Sequence, residues 1–211
     1  MDNRIDKDDL RKTVEGLMSA QLNNKLIIMK LILPGTVYYK LQAQEYGGKG
    51  VYYNPDSNTR FSLSDRSKGV QYLAESPHTA CQEFYQQEKF IDYNDYITNC
   101  MAEIRVMRHV CVFDETLLAP HLGIAIGDLM APKKTAYAYT QRLATALASY
   151  ADGLEYLSRY TGKPCVVLWS NCVEGNGTLS TDSVIPLCHY KQNGRTAKEI
   201  LKYQLGIRIV Q

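Results

Sequence analysis

The sequence of 211 residues lacks the features of several common functional classes. Its formal charge is only +2, and no basic run is interleaved with aromatic residues, which argues against a nucleic-acid-binding surface. The longest apolar run, residues 26–33, is interrupted by Lys30 and is too short to span a bilayer. The first twelve residues are charged and contain no apolar stretch of a signal peptide. We therefore expect a cytoplasmic protein that binds neither nucleic acid nor membrane.

Signals for disulfides, metal sites and phosphate loops are also missing. None of the six cysteines lies in a CxxC pair, and several lie in apolar segments, so we expect buried, reduced thiols. The four histidines show neither an HExxH motif nor the spacing of His/Cys ligands, and we predict no metal site. No GxGxxG or GxxxxGK motif is present either.

The hydrophobic pattern predicts an α+β domain at residues 34–211, preceded by a helical extension at residues 1–33. Apolar residues at near-helical spacing predict a helix over residues 6–33, which Pro34 ends. Because strands and helices do not alternate strictly after that point, α+β is favoured over a parallel doubly wound sheet. The predicted strands are 36–41, 70–73, 101–107 (with 110–113 continuing it past a bulge), 154–157, 164–169 and 184–188, and further helices are expected at 135–150 and 196–205.

Two polar segments interrupt this pattern. Residues 45–68 are rich in Gly, Asn, Asp and Ser and are too long for a simple connection, so we expect a functional or mobile loop. Residues 92–99 are also polar, and a second loop is predicted there.

The most informative segment is the junction at residues 69–83, GVQYLAESPHTACQE. A short apolar strand leads to Ser76, a good N-cap, and to Pro77, a good first helical residue. Tyr72 on the strand and Glu83 in the first turns of the helix can therefore face one pocket. Taken alone, the segment is only a strand, a turn and a helix, in which a residue like Glu83 is more commonly solvated.

Three blocks of sequence together resemble the RES domain family, named for Arg, Glu and Ser. Arg60 lies in an NTRFS segment, Glu83 ends a YLAESPxTAxxE block, and Ser158 lies in a DGxxYxSR block that is followed by an apolar strand. Order and spacing fit, and the resemblance covers roughly residues 34–186. The YLAESP block is the more specific of the three.

The resemblance implies an ADP-ribosyltransferase-like fold, with mixed or antiparallel sheets flanked by helices. It also implies a toxin that cleaves the nicotinamide–ribose bond of NAD by hydrolysis or phosphorolysis. NAD is then the substrate, and no other cofactor is expected. Many members are paired with an antitoxin that blocks the active site, and others are delivered into rival cells, so a cognate antitoxin or immunity protein is an expected partner.

The chemistry that the resemblance implies needs the residue types that are present. Glu83 can hold the ribose hydroxyls and stabilise an oxocarbenium-like transition state. Arg60 can grip the pyrophosphate with two donors. Tyr72 can stack on or orient the nicotinamide ribose, and Ser158 can hydrogen-bond the ribose or the carboxamide. We thus predict catalytic roles for Glu83, Ser158 and Tyr72, and binding of NAD by Arg60, Lys40 and Tyr72.

Lys40 departs from the family pattern, which usually has an arginine on the first strand of the domain. Lysine keeps the charge but loses the planar fork. Either Lys40 acts as a point charge beside Arg60, or the activity is weakened or altered, natively or by engineering. Two alternatives therefore stay open: an ADP-ribosyltransferase with a macromolecular target, and a NAD-binding pseudoenzyme.

Arg159 directly follows Ser158 in the third block. If the strand continues through both residues, Arg159 points to the opposite face and serves as a structural salt-bridge residue. A loop at this position would reopen the question.

Overall fold

An eight-stranded mixed sheet organises residues 7–131 and 137–211, which are the residues that the computed structural model describes. The strands, in chain order, are β1 (Met29–Ile32), β2 (Val37–Gln42), β3 (Gly69–Ala74), β4 (Phe90–Asp92), β5 (Cys100–Val106), β6 (Val110–Asp114), β7 (Gly153–Leu157), β8 (Pro164–Ser170), β9 (Leu179–Pro186), β10 (Lys191–Gln192), β11 (Arg195–Thr196) and β12 (Arg208–Val210). The main sheet has the order β1-β6-β7-β8-β3-β2-β5-β9. Its β6–β7 pair is parallel, and its other pairs are antiparallel.

Helices flank this sheet, which confirms the predicted α+β class. They are α1 (Lys7–Leu22), α2 (Pro77–Tyr85), α3 (Tyr93–Thr98), α4 (Glu115–His121), α5 (Ile126–Leu129), α6 (Tyr137–Leu147) and α7 (Ala197–Glu199), which a π-helical turn at Ile200–Gln204 continues. Among the described residues, no helix has both the length and the apolar character needed to cross a membrane.

The central strand β8 is buried on both faces, as its uninterrupted apolar sequence predicted. Val167 and Trp169 belong to the larger hydrophobic cluster, which also contains residues of α1 and α6. Val166 and Leu168 point the other way into a second cluster. Because successive side chains of a strand alternate between faces, one strand supports both cores.

The predicted junction at the start of α2 is confirmed in detail. Ser76 has extended backbone angles, and its hydroxyl accepts a hydrogen bond from the backbone N–H of Thr79 at 3.2 Å. Pro77 occupies the first helical position, where its missing N–H costs nothing. The cap fixes where the helix begins and therefore which face Glu83 presents.

The helix predicted over residues 6–33 is correct for α1 and wrong beyond it, and its first residue lies outside the described part. The helix ends at Leu22, close to Asn24 with φ +54°. Residues 29–32 form β1, which pairs with β6. Here pairing at the sheet edge overrides the near-helical spacing of the apolar residues. The division at residue 33 stays a prediction, although β1 before it is hydrogen-bonded into the main sheet.

Other boundaries also need correction. The polar segment 92–99 is not a loop, since Asp92 ends β4 and caps α3 by accepting from the N–H of Asn94. Strand β6 does not extend β5 but lies between β1 and β7. The last strand of the sheet begins at Leu179 rather than at residue 184. The helix expected from residue 135 is α6, and residues 135 and 136 lie outside the described part.

Candidate active site

A cavity of about 490 Å³ lies beside the β3–α2 junction. Lys40, Arg60, Tyr72 and Glu83, which the sequence singled out, all contribute to its lining. Ser158 does not line the cavity itself, but its hydroxyl is hydrogen-bonded to Glu83, which does. The fold thus gathers five predicted residues from β2, the long loop, β3, α2 and the end of β7.

Glu83 and Ser158 form a hydrogen-bonded pair. The hydroxyl of Ser158 donates to Oε1 of Glu83 at 2.5 Å, and it accepts from the backbone N–H groups of Tyr160 and Thr161 at 3.2 Å each. These three bonds fix the orientation of the serine. Glu83 is half-buried, and its Oε2 bonds no described residue. One carboxylate oxygen is therefore held, and the other can receive a ligand hydroxyl.

Two opposing effects act on the pKa of Glu83. Burial raises this pKa, while the Ser158 hydrogen bond and the positive charges of Arg159 and Arg60 lower it. The net direction is upward. The carboxylate thus lies in a partly dry site in which nearby cations interact strongly with it.

Arg60 is only 8% exposed and is held by the last residue of α5 and by the chain just after it. Its Nη1 donates to the carbonyl oxygens of Leu129 at 2.6 Å and Ala131 at 2.9 Å. Its guanidinium carbon lies 5.0 Å from the ring centroid of Tyr137, a cation–π distance. Both Nη1 protons are therefore engaged, and only the other donors remain for a ligand.

Tyr72 braces the loop on both sides of Arg60. Its phenolic oxygen accepts from the hydroxyl of Thr59 and from the backbone N–H of Phe61, each at 2.9 Å. Burial raises the pKa of Tyr72 to about 12, so the phenol stays protonated at neutral pH. This bracing gives a physical reason for the spacing between Arg60 and Tyr72, whereas contact of Tyr72 with a ribose stays a prediction.

Lys40 is a cation without a nearby counter-charge. Burial lowers its pKa to about 8, and no described carboxylate lies within ion-pair distance of its ammonium group. The carbonyl oxygen of Gly50 is 3.5 Å from Nζ, at the limit of a hydrogen bond. An anionic ligand in the cavity would therefore supply the missing charge.

Comparison with known proteins identifies the family of this chain. A family model of the RES domain matches residues 36–183, more than half of the chain. The chain belongs to the RES domain family. The match lies within the span of roughly residues 34–186 on which the sequence resemblance rests, and it contains all five predicted site residues. No curated protein matches the chain.

The fold of this RES domain is similar to a chain in the crystal structure of the M. tuberculosis MbcT–MbcA toxin–antitoxin complex. The TM-score is 0.59 at 12% sequence identity, and the match covers 84% of this chain and 91% of that chain. At this identity the likeness concerns the fold, and it agrees with the predicted helix-flanked mixed sheet.

The residue after Ser158 in this RES domain, Arg159, lies in a turn and not on the opposite face of a continuing strand. Strand β7 ends at Leu157, and residues 158–162 form a turn closed by the N–H of Gly162 donating to the carbonyl of Ser158 at 2.8 Å. Because the strand does not continue, alternation does not apply, and Arg159 lines the cavity. The Thr-Gly-Lys-Pro sequence that follows is the available signal for this turn.

Glu115 is a buried carboxyl group near the end of β7 whose burial the sequence did not predict. It is 1% exposed, and its Oε2 accepts from the N–H of Leu157 at 3.2 Å. Its Oε1 has no hydrogen-bond partner among the described residues. The pKa of Glu115 is raised to about 7, mainly by burial and also by the negative charge of Asp114. The Leu157 hydrogen bond and the positive charge of Arg60 oppose this rise. In sequence it looks like an ordinary acidic residue in a first helical turn.

We expect Glu115→Gln to stabilise the RES domain at pH 8 and to change its stability little at pH 5. A carboxyl with a folded-state pKa of about 7 instead of 4.5 stabilises the fold below pH 4.5 and loses that contribution as pH rises through 7. Glutamine keeps the acceptor for Leu157 without a buried charge, so the gain at pH 8 is about 3 kcal/mol. Urea unfolding at both pH values measures it.

Glu88→Gln, which removes the charge of an exposed glutamate, serves as the control. An equal effect of Glu115→Gln at the two pH values would contradict the assigned titration.

Proposed function

We propose that this RES domain is a toxin that cleaves the nicotinamide–ribose bond of NAD and so depletes the NAD of the cell in which it acts. The observation that carries the proposal is the Glu83–Ser158 pair beside a cavity lined by cations. A cavity of about 490 Å³ is within the usual range for small-molecule and cofactor sites.

The reaction separates nicotinamide from the ribose with the bonding electron pair. The pyridinium nitrogen takes this pair and becomes neutral, and the ribose carbon becomes oxocarbenium-like. The carboxylate of Glu83 stabilises that positive charge and accepts from a ribose hydroxyl through Oε2. Ser158 acts by holding Oε1 in place. Water or inorganic phosphate then adds to the carbon, and a proton is released.

The cations of the cavity match the charge of the diphosphate. Arg60 offers its remaining donors from a fixed position, because two carbonyl oxygens hold its Nη1. Lys40 offers a point charge without a planar fork. Tyr72 keeps the loop of Arg60 in place. In this proposal its ring, which lines the cavity, borders the nicotinamide ribose.

We further propose that the protein acts in a cytoplasm and that a cognate antitoxin covers the cavity. The similar fold from M. tuberculosis is part of a toxin–antitoxin complex. A site with several cations and few anions attracts an acidic segment of a partner.

The test is to incubate the purified protein with NAD and to quantify free nicotinamide, with and without phosphate. Mass spectrometry of the products separates ADP-ribose, phosphorylated ADP-ribose and ADP-ribose attached to a macromolecule. Nicotinamide release supports the proposal, and the product names the acceptor. A folded protein that binds NAD without releasing nicotinamide would overturn it in favour of a pseudoenzyme, or of an ADP-ribosyltransferase whose macromolecular target is absent from the assay.

Affinity for NAD is expected to fall about tenfold between pH 7 and pH 9. The pKa of Lys40 is lowered to about 8, so its positive charge disappears over this interval and the phosphates lose an attractive partner. Lys40→Arg should bind NAD with nearly constant affinity, since arginine stays charged. Both proteins carry Glu83→Gln, so that calorimetry measures binding without turnover. If the affinity of the Lys40 protein and that of the Lys40→Arg variant changed with pH in the same way, the role of Lys40 would be contradicted.

A further inference from the structure

The opening of the cavity carries an exposed cation that the proposed function does not use. Arg159 stacks on its neighbour Tyr160, with its guanidinium carbon 4.6 Å from the ring centroid. One of its terminal nitrogens donates to the Tyr160 hydroxyl. Arg159 makes no ion pair with any described residue, so its charge is not neutralised within that part of the chain. Stacking keeps the planar group in a defined orientation.

The other cations that line the cavity have less freedom to bind an anion. Arg60 is buried, and both Nη1 protons are spent on carbonyl oxygens. Lys40 is a partly buried point charge and cannot form two parallel bonds. Among the described residues that line the cavity, Arg159 is the cation with an exposed guanidinium.

The turn that carries Arg159 is tied to the reacting pair. Ser158 precedes it, and the N–H groups of Tyr160 and Thr161 both donate to the Ser158 hydroxyl. The positive charge of Arg159 is also close enough to oppose the rise in the pKa of Glu83. A group bound by Arg159 therefore lies next to the carboxylate that faces the ribose.

We propose that Arg159, held against Tyr160, binds a phosphate of the dinucleotide and makes the site select phosphorylated nicotinamide ribosides over the free riboside. A guanidinium fork matches two phosphate oxygens. This inference rests on the proposed function, because it names the group that selects the substrate of the same site.

The test compares NAD with nicotinamide riboside, which has the same bond to be cleaved but no phosphate. Arg159→Ala should lower kcat/KM for NAD about 10- to 100-fold, mainly through KM, and change that for nicotinamide riboside less than about twofold. Arg159→Lys should restore part of the loss, because it returns the charge without the fork. Arg195→Ala, which removes an exposed arginine of β11, is the matched control and should change neither value.

Equal losses with both substrates would overturn the inference, because Arg159 would then act through the turn and Glu83. No loss with either substrate would overturn it as well. Calorimetric binding of the two compounds to the same variants separates this inference from the proposed function. If nothing is cleaved but Arg159→Ala weakens NAD binding alone, the proposed reaction fails while the phosphate contact stands; if NAD binding is unaffected, the contact fails.

Discussion

Glu83→Gln is expected to reduce nicotinamide release from NAD by about 10³-fold while the protein stays folded. The substitution keeps the size of the side chain and leaves an amide oxygen that can accept from Ser158, but it removes the negative charge that faces the ribose. Because burial raises the pKa of Glu83, loss of that charge is not expected to destabilise the fold. Nicotinamide quantified by chromatography gives the rate, and the melting temperature reports folding.

The matched control is Glu88→Gln, which removes the charge of an exposed glutamate shortly after α2. It should retain wild-type activity. If Glu83→Gln kept more than about a tenth of the rate, the carboxylate would not be the group that stabilises the transition state.

Gly153→Ala is expected to destabilise the protein by about 3 kcal/mol or more. A Cβ at this position would lie 2.2 Å from the carbonyl oxygen of Val167 and 2.6 Å from Cδ2 of Leu168. The carbonyl belongs to the neighbouring strand β8 and cannot move without disturbing the sheet. In a chain of this size the melting temperature should fall by roughly 10 °C, and displacement of β7 should also disturb Ser158.

Gly16→Ala is the control for this substitution. Gly16 lies within α1, and a Cβ there meets nothing within 4 Å. Alanine should stabilise the helix by up to about 1 kcal/mol. An unchanged melting temperature for Gly153→Ala would mean that the strands separate easily at this point, contrary to their tight packing.

The local parts of the site were predictable from sequence because they depend on neighbouring residues. Ser76 and Pro77 determine where α2 begins, and the helix then presents Glu83 toward the cavity. The DG…SR block likewise marks the end of β7, where Ser158 lies. The RES resemblance joins these blocks in one family pattern, although the sequence by itself shows no contact between them.

The remaining parts depend on contacts between distant segments, which hydrophobic periodicity does not report. Met29–Ile32 has apolar spacing compatible with a helix and becomes a strand because β6 offers it an edge. The hydrogen bond from Arg60 to the carbonyl oxygen of Leu129 joins residues that are 69 positions apart in the sequence. Glu115 is buried because α4 packs against the end of β7, where its carboxylate accepts from Leu157.

The position of β8 has a consequence for the order in which the molecule is made. Glu83 follows β3 and Ser158 follows β7, and these two strands are not hydrogen-bonded to each other but both pair with β8. The ribosome produces β8, residues 164–170, after both members of the pair. A nascent chain that has already exposed Glu83 and Ser158 still lacks the strand that lies between β3 and β7, so assembly of the site waits until residues 164–170 have been synthesised.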